Sequence, residues 1–81
     1  MGRGKEPDQP TSNPLEAKKY RDEAAGHMKN GNYERALTTL AKAIELAPEE
    51  KAAYVARSKC YLLLGEPRLA LEDAETALKL D

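Results

Sequence analysis

The 81-residue sequence has no tryptophan and no phenylalanine, one cysteine, one histidine and four tyrosines. Without large aromatics, a core here has to be assembled from Ala, Leu, Ile and Tyr, which suits thin helix-on-helix packing. One cysteine excludes an internal disulfide framework, and a lone thiol suits a reducing compartment, so a cytoplasmic setting is expected. No apolar run approaches the roughly 20 residues that cross a bilayer; the longest, Ala52 to Ala56 and Cys60 to Leu64, are five residues each. The N-terminus has no apolar signal region, and "MGRGKE" departs from a myristoylation site by placing Glu6 where Ser or Thr is required. Neither charge sign is in excess: 13 Lys and Arg face 14 Asp and Glu, for a formal net charge of −1. Such a balance carries no electrostatic footprint for nucleic acid or an anionic membrane, and neither is expected as a partner.

The first dozen residues, "MGRGKEPDQPTS", contain two Gly, two Pro and almost nothing apolar. They cannot bury enough surface to offset the entropy of ordering, and a disordered leader is expected over 1–13. "NPLE" at 13–16 then reads as a helix start: Asn13 as N-cap, Pro14 at N1 and Glu16 at N3. The spacing predicts helices over about Pro14–Lys29, Tyr33–Leu46, Pro48 to Leu63 or Leu64, and Pro67 onward. Gly31 and Gly65 are expected to close the first and third. In the second, Ala36, Leu37, Leu40, Ala43, Ile44 and Ala47 form one stripe on a 3.6-residue period. Pro48 is expected at N1 of the third helix, with Glu49 and Glu50 in its first turn. Ala70, Leu71, Ala74, Ala77 and Leu78 form the stripe of the fourth. No segment alternates with period two, so no sheet is expected.

The pattern repeats. Adding 34 to Pro14, Glu16, Tyr20, Gly31, Ala36, Leu37, Ala43 and Leu46 gives Pro48, Glu50, Tyr54, Gly65, Ala70, Leu71, Ala77 and Leu80, identical at every pair. Small positions recur with large ones: Ala24 maps to Ser58 and Gly26 to Cys60. Recurrence of both kinds is expected when each helical hairpin docks on the next in one geometry.

These residues resemble the tetratricopeptide repeat (TPR) family, whose 34-residue unit spaces aromatic, small, Ala and Pro positions in this order. One copy spans 17–50, with Tyr20, Ala24, His27, Ala36, Leu40, Ala43 and Pro48 at the signature places. A second spans 51–81, with Tyr54, Ser58, Tyr61, Ala70, Ala74 and Ala77. His27, Leu40 and Ala74 depart from the usual aromatic or bulky residues, and the second copy stops before its closing Pro. The resemblance implies an all-α fold: a right-handed superhelix of two helix-turn-helix hairpins, in a TPR domain over 14–81. Repeat arrays need capped ends, so a piece of a longer array, or self-association through Leu71, Ala74 and Leu78, is expected.

No catalytic constellation is visible. His27 and Cys60 lack further ligands or an orienting third group and are expected as packed residues. Glu72, Asp73 and Glu75 are expected on a solvated helix face. No enzyme activity, metal or cofactor is expected.

The resemblance implies instead a non-enzymatic scaffold module. In the family, the first helix of each hairpin lines a concave groove for a peptide or helix of a partner protein. By position that groove takes Lys18, Arg21, Asp22, Ala25, Met28 and Lys29 from the first copy. Ala52, Val55, Ala56, Lys59, Leu62 and Leu63 come from the second. It reads basic at one end and apolar at the other, which suits an acidic residue beside aliphatic anchors. Chaperone-adaptor members clamp the terminal carboxylates of Hsp70 or Hsp90 with a Lys and two Asn. Here those places hold Arg21, Ala25 and Ala56, and losing two charge-assisted bonds at ~1.5–3 kcal/mol each argues against a working clamp. "ARSKCYLLLG" (56–65) and "ALEDAETALKLD" (70–81) are also similar to axonemal TPR proteins that dock outer dynein arms, which implies a ciliary scaffold role as an alternative.

Overall fold

A computed structural model describes residues 12–80. Within them lie four helices and no strand: α1 (Pro14–Lys29), α2 (Tyr33–Leu46), α3 (Lys51–Leu63) and α4 (Pro67–Lys79). α1 pairs with α2 and α3 with α4; α3 also packs on α2 and reaches α1. The result is two helical hairpins stacked in a right-handed superhelical step.

Both hairpins turn on the same glycine geometry. After α1, Gly31 takes φ +80°, its N–H donates to Met28 O at 3.0 Å, and the Asn32 N–H donates to His27 O at 2.8 Å. After α3, Gly65 takes φ +78°, with Gly65 N–H to Leu62 O at 3.1 Å and Glu66 N–H to Tyr61 O at 2.7 Å. This paired 5→2 and 6→1 closure satisfies carbonyls that a helix end otherwise leaves open, and positive φ is why glycine stands there.

The helix starts differ between copies. Asn13 Oδ1 accepts the Glu16 N–H at 3.3 Å, the Asn13 amide donates to Glu16 Oε1 at 3.2 Å, and Pro14 occupies N1. The equivalent start in the second copy does not form at Pro48. Residues Ala47 to Glu50 make a turn closed by Glu50 N–H to Ala47 O at 3.1 Å, and α3 begins only at Lys51. Pro48 sits second in that turn, where its fixed φ is favourable, and neither Glu49 nor Glu50 lies in the helix's first turn. Ala47 stands where Asn13 stands, and alanine has no oxygen to cap with. Tyr54 instead fastens the turn, its hydroxyl donating to Pro48 O at 2.9 Å.

Residues 1–11 of the expected leader lie outside the described residues, as does Asp81. Its last two residues are tied down. The Asn13 N–H donates to Leu46 O at 2.7 Å, and the Ser12 hydroxyl donates to Glu49.

The core is built of small side chains. Ala17, Ala24, Ala36, Leu40, Ala43, Ala47, Ala53 and Cys60 are buried, with Tyr20, Leu37, Ile44 and Leu46 packed around them. Leu40 and Cys60 are the largest side chains fully enclosed. Alanine at the contact positions lets helix backbones approach closely, so the stack is set by what is absent from the interface as much as by what fills it.

One expectation fails inside α4. Asp73 is not on a solvated face: it is buried, and its carboxylate takes Arg57 Nε at 2.7 Å and an Arg57 terminal nitrogen at 2.9 Å. Its place in the helix explains this. Asp73 is three residues after Ala70 and four before Ala77, so it points with them toward α3. The bond to Asp73 raises the Arg57 pKa although burial opposes it, so the guanidinium stays charged at any pH the fold survives.

Candidate functional site

The hairpin geometry sets α1 beside α3 and leaves an open groove between them, about 490 Å³ in volume. Ala25, Met28 and Lys29 line it from α1; Ala52, Val55, Ala56, Lys59 and Leu63 line it from α3. Tyr33, the first residue of α2, closes one end. Its floor is aliphatic and small, and Lys29 and Lys59 stand exposed beside it. An open apolar surface rimmed by charge of one sign is what a protein-binding site presents to water.

Four residues expected in this groove are elsewhere. Lys18 and Asp22 pair with each other across one helical turn at 2.9 Å, both well exposed. Such an i,i+4 pair holds both side chains along the helix surface. Arg21 is drawn to Glu50 at 3.2 Å, linking α1 to the residue that precedes α3, and its Nε is buried without a hydrogen-bond partner. Leu62 lies on the other side of α3, in a depression with Pro67, Leu71 and Ala74. Consecutive residues of a helix point about 100° apart, so a groove that takes Leu63 turns Leu62 away. Tyr33 was not expected, because the repeat register assigns the groove to α1 and α3 and gives no sign of a side chain entering from α2.

The chemistry of the site is that of contact. Cys60 is fully buried, and desolvation pushes its thiol pKa up, which keeps it protonated and unreactive. His27 is half-buried near the end of α1. Among the described residues, no three His, Cys, Asp or Glu side chains converge as a metal ion would require. No described helix is long and apolar enough to cross a membrane.

A family profile described as "Tetratricopeptide repeat" matches residues 27–50 and 52–81. Among curated relatives, the chain is 51% identical over 49 residues to the outer dynein arm-docking complex subunit 4 of Xenopus laevis, covering 60% of this chain and 9% of that protein. It is 36% identical over 77 residues to the type IV pilus assembly protein PilF of Pseudomonas aeruginosa, covering 85% of this chain and 31% of that one. It is 34% identical over 68 residues to the Hsp70-Hsp90 organizing protein 3 of Arabidopsis thaliana, covering 84% of this chain and 12% of that one. The chain therefore spans less than a third of the length of each of these relatives.

Proposed function

The chain belongs to the tetratricopeptide repeat family, and from that premise we propose that it is a scaffold module that receives an acidic, aliphatic segment of a partner protein in the α1–α3 groove. The observation that carries this reading is the groove's composition. Ala25, Ala52, Val55 and Ala56 offer an apolar floor to aliphatic side chains, while Lys29 and Lys59 offer charge to a carboxylate. Desolvated apolar contact supplies affinity, and the lysines supply orientation and a faster encounter.

The test is a fluorescence-anisotropy titration with peptides that place Asp or Glu beside Leu, Ile or Val. Ala25→Arg, which fills the groove from the exposed side of α1, is expected to weaken binding by about tenfold or more, or ~1.4 kcal/mol. Lys59→Glu is expected to lose the acidic preference and most of the salt dependence. Binding indifferent to both substitutions sinks the proposal.

A finer reading is supported by the 51% identity to a dynein arm-docking subunit: a scaffold acting in the axoneme, against a general cytoplasmic one. A tagged chain expressed in ciliated cells distinguishes the two by whether it concentrates in cilia. The chaperone-adaptor alternative has a relative in its favour and side chains against it. Ala25 and Ala56 have no donor for a terminal carboxylate, and Arg21 is engaged with Glu50. A peptide ending in the acidic chaperone tail is expected to bind no better than one with that tail amidated.

A further inference from the structure

We infer that the groove reads its occupant in one polarity. The partner's acidic side chain takes the end closed by Tyr33, its aliphatic residues lie toward Ala52, and Tyr33 is the residue that selects the acid. The inference rests on the reading of this groove as a peptide site and adds which end carries the charge. Short connections turn α2 back on α1 and α3 back on α2, so α1 and α3 run in one direction. Along α1, Ala25 precedes Met28 and Lys29; along α3, Ala52, Val55 and Ala56 precede Lys59 and Leu63. Both lysines therefore fall toward the C-terminal ends of their helices, the end at which Tyr33 enters from α2.

The two ends are not electrostatically equivalent. By repeat position the basic end should be the other one, at Lys18 and Arg21, and there the charge is already engaged. Lys18 holds Asp22 at 2.9 Å, and Arg21 holds Glu50 at 3.2 Å. Lys51 lies round α3, in a depression with Ala77 and Leu78. A carboxylate arriving at that end competes with Asp22 and Glu50 and is repelled by both. Lys29 and Lys59 pair with no carboxylate among the described residues. Glu34 and Glu66, at the starts of α2 and α4, are the acids nearest that end in sequence, and neither lines the groove. An unpaired ammonium gives its whole attraction to an incoming acid, whereas a paired one gives only the difference.

Tyr33 adds direction to that charge. Its hydroxyl has no hydrogen-bond partner among the described residues, whereas that of Tyr54 donates to Pro48 O. A lysine is a flexible point charge, while a phenol offers one O–H on a rigid ring. A carboxylate uses both at once, accepting from the hydroxyl while it faces an ammonium. Adding 34 to Tyr33 gives Pro67, which has no side-chain donor, so the second hairpin holds no copy of this arrangement. The polarity belongs to the turn of the first hairpin and not to the repeat as such.

The test is fluorescence anisotropy on the full 81-residue chain with a labelled peptide, capped at both termini, that carries Glu at one end and paired leucines at the other, beside its Gln twin. The Glu peptide is expected to bind about tenfold tighter than the Gln twin. Lys29→Ala with Lys59→Ala is expected to abolish that ratio, and Tyr33→Phe to reduce it about threefold. Lys18→Ala is expected to leave it unchanged, and helical circular dichroism is expected to be the same in all the variants. A nitroxide on the peptide beside its Glu is expected to broaden the amide signals of Asn30 to Tyr33 and to spare those of Glu16 to Lys18. A ratio unmoved by the lysine pair or by Tyr33→Phe, a ratio lost in Lys18→Ala, or broadening at Glu16 to Lys18 overturns the polarity. If Ala25→Arg still weakens binding in that case, the peptide groove stands without it. Binding indifferent to Ala25→Arg sinks both.

Discussion

At position 40 the first hairpin encloses a leucine completely; at the matching position 74 the second has a half-exposed alanine. The second hairpin replaces lost bulk with directed bonds. Arg57 and Asp73 form a two-pronged ion pair between α3 and α4, and the Ser58 hydroxyl donates to Ala70 O at 2.8 Å. The first hairpin has Glu23, Thr39 and Ala24 at those places. Glu23 is exposed, and Thr39 turns its hydroxyl back to Arg35 O of its own helix at 2.9 Å. One backbone plan is therefore held in two ways. A non-directional apolar anchor tolerates small shifts, whereas a charged fork fixes one relative position of two helices and becomes costly when half of it is missing.

Removing the anchor is expected to have the largest effect. Leu40→Ala leaves a cavity in a core whose other fully buried members are alanines and Cys60, and a loss of about 4 kcal/mol is expected in urea unfolding. In a domain of this size that approaches the whole stability. Ala74→Leu, the reciprocal change, is expected to stay within about 0.5 kcal/mol of the parent because its site opens to solvent. Equal and opposite effects at the two sites would show that the hairpins are not held differently after all.

Breaking the fork comes next. Asp73→Ala strands the Arg57 guanidinium in a largely buried place, and a loss of about 3 kcal/mol is expected from the same unfolding curves. Replacing both partners with apolar residues, Arg57→Met with Asp73→Leu, is expected to recover most of it. Thr39→Ala in the first hairpin is expected to cost under about 0.5 kcal/mol, since its hydroxyl bond is local to one helix. A double replacement as damaging as the single one would mean that the charges stabilise the hairpin outright.

These two sites also show what was readable in the sequence. The four helices, both glycine closures and the alanine stripes follow from period, Gly and Pro, because backbone sterics act locally. Asp73 was misread because three acidic residues near each other look like a solvated face. The stripe contained the correction: Asp73 is in phase with Ala70 and Ala77, and Arg57 is in phase with Ala53 and Cys60. Two opposite charges, each on an apolar stripe, are a pair waiting to be matched. In the groove, the register names Ala25, Met28, Lys29, Ala52, Val55, Ala56, Lys59 and Leu63, which line it, together with Lys18, Arg21, Asp22 and Leu62, which do not. It could not register that Lys18 and Asp22 would hold each other, or that Arg21 would reach Glu50. Those are side-chain choices settled by neighbours distant in the repeat's arithmetic.

The glycine closures are expected to respond alike, which makes them the control for the comparison. Gly31→Ala and Gly65→Ala each force an L side chain into positive φ, at a cost of about 1–2 kcal/mol. The space around each is open, so the penalty is purely that of the backbone. Thermal unfolding of the two variants should agree. A marked difference would mean that one turn yields to the other's packing, and that the hairpins differ in backbone as well as in adhesive.

The smallest effect is expected at the helix starts, where the two copies already stand as a natural substitution. Asn13→Ala gives the first copy the residue that the second has at Ala47. A loss of about 1 kcal/mol is expected from the missing cap. More telling is where α1 should then begin. If the alanine is what delays α3 to Lys51, the variant should form a proline turn at Pro14 and start α1 near Ala17, which is Lys51 less 34. The Glu16 amide, bonded to Asn13 in the parent, should lose its hydrogen-exchange protection and report the change directly. An α1 that still starts at Pro14 would shift the cause of the late α3 start to the connection itself. Four residues must leave α2 and enter α3 there, and the Tyr54 hydroxyl on Pro48 O would then be what holds the turn open.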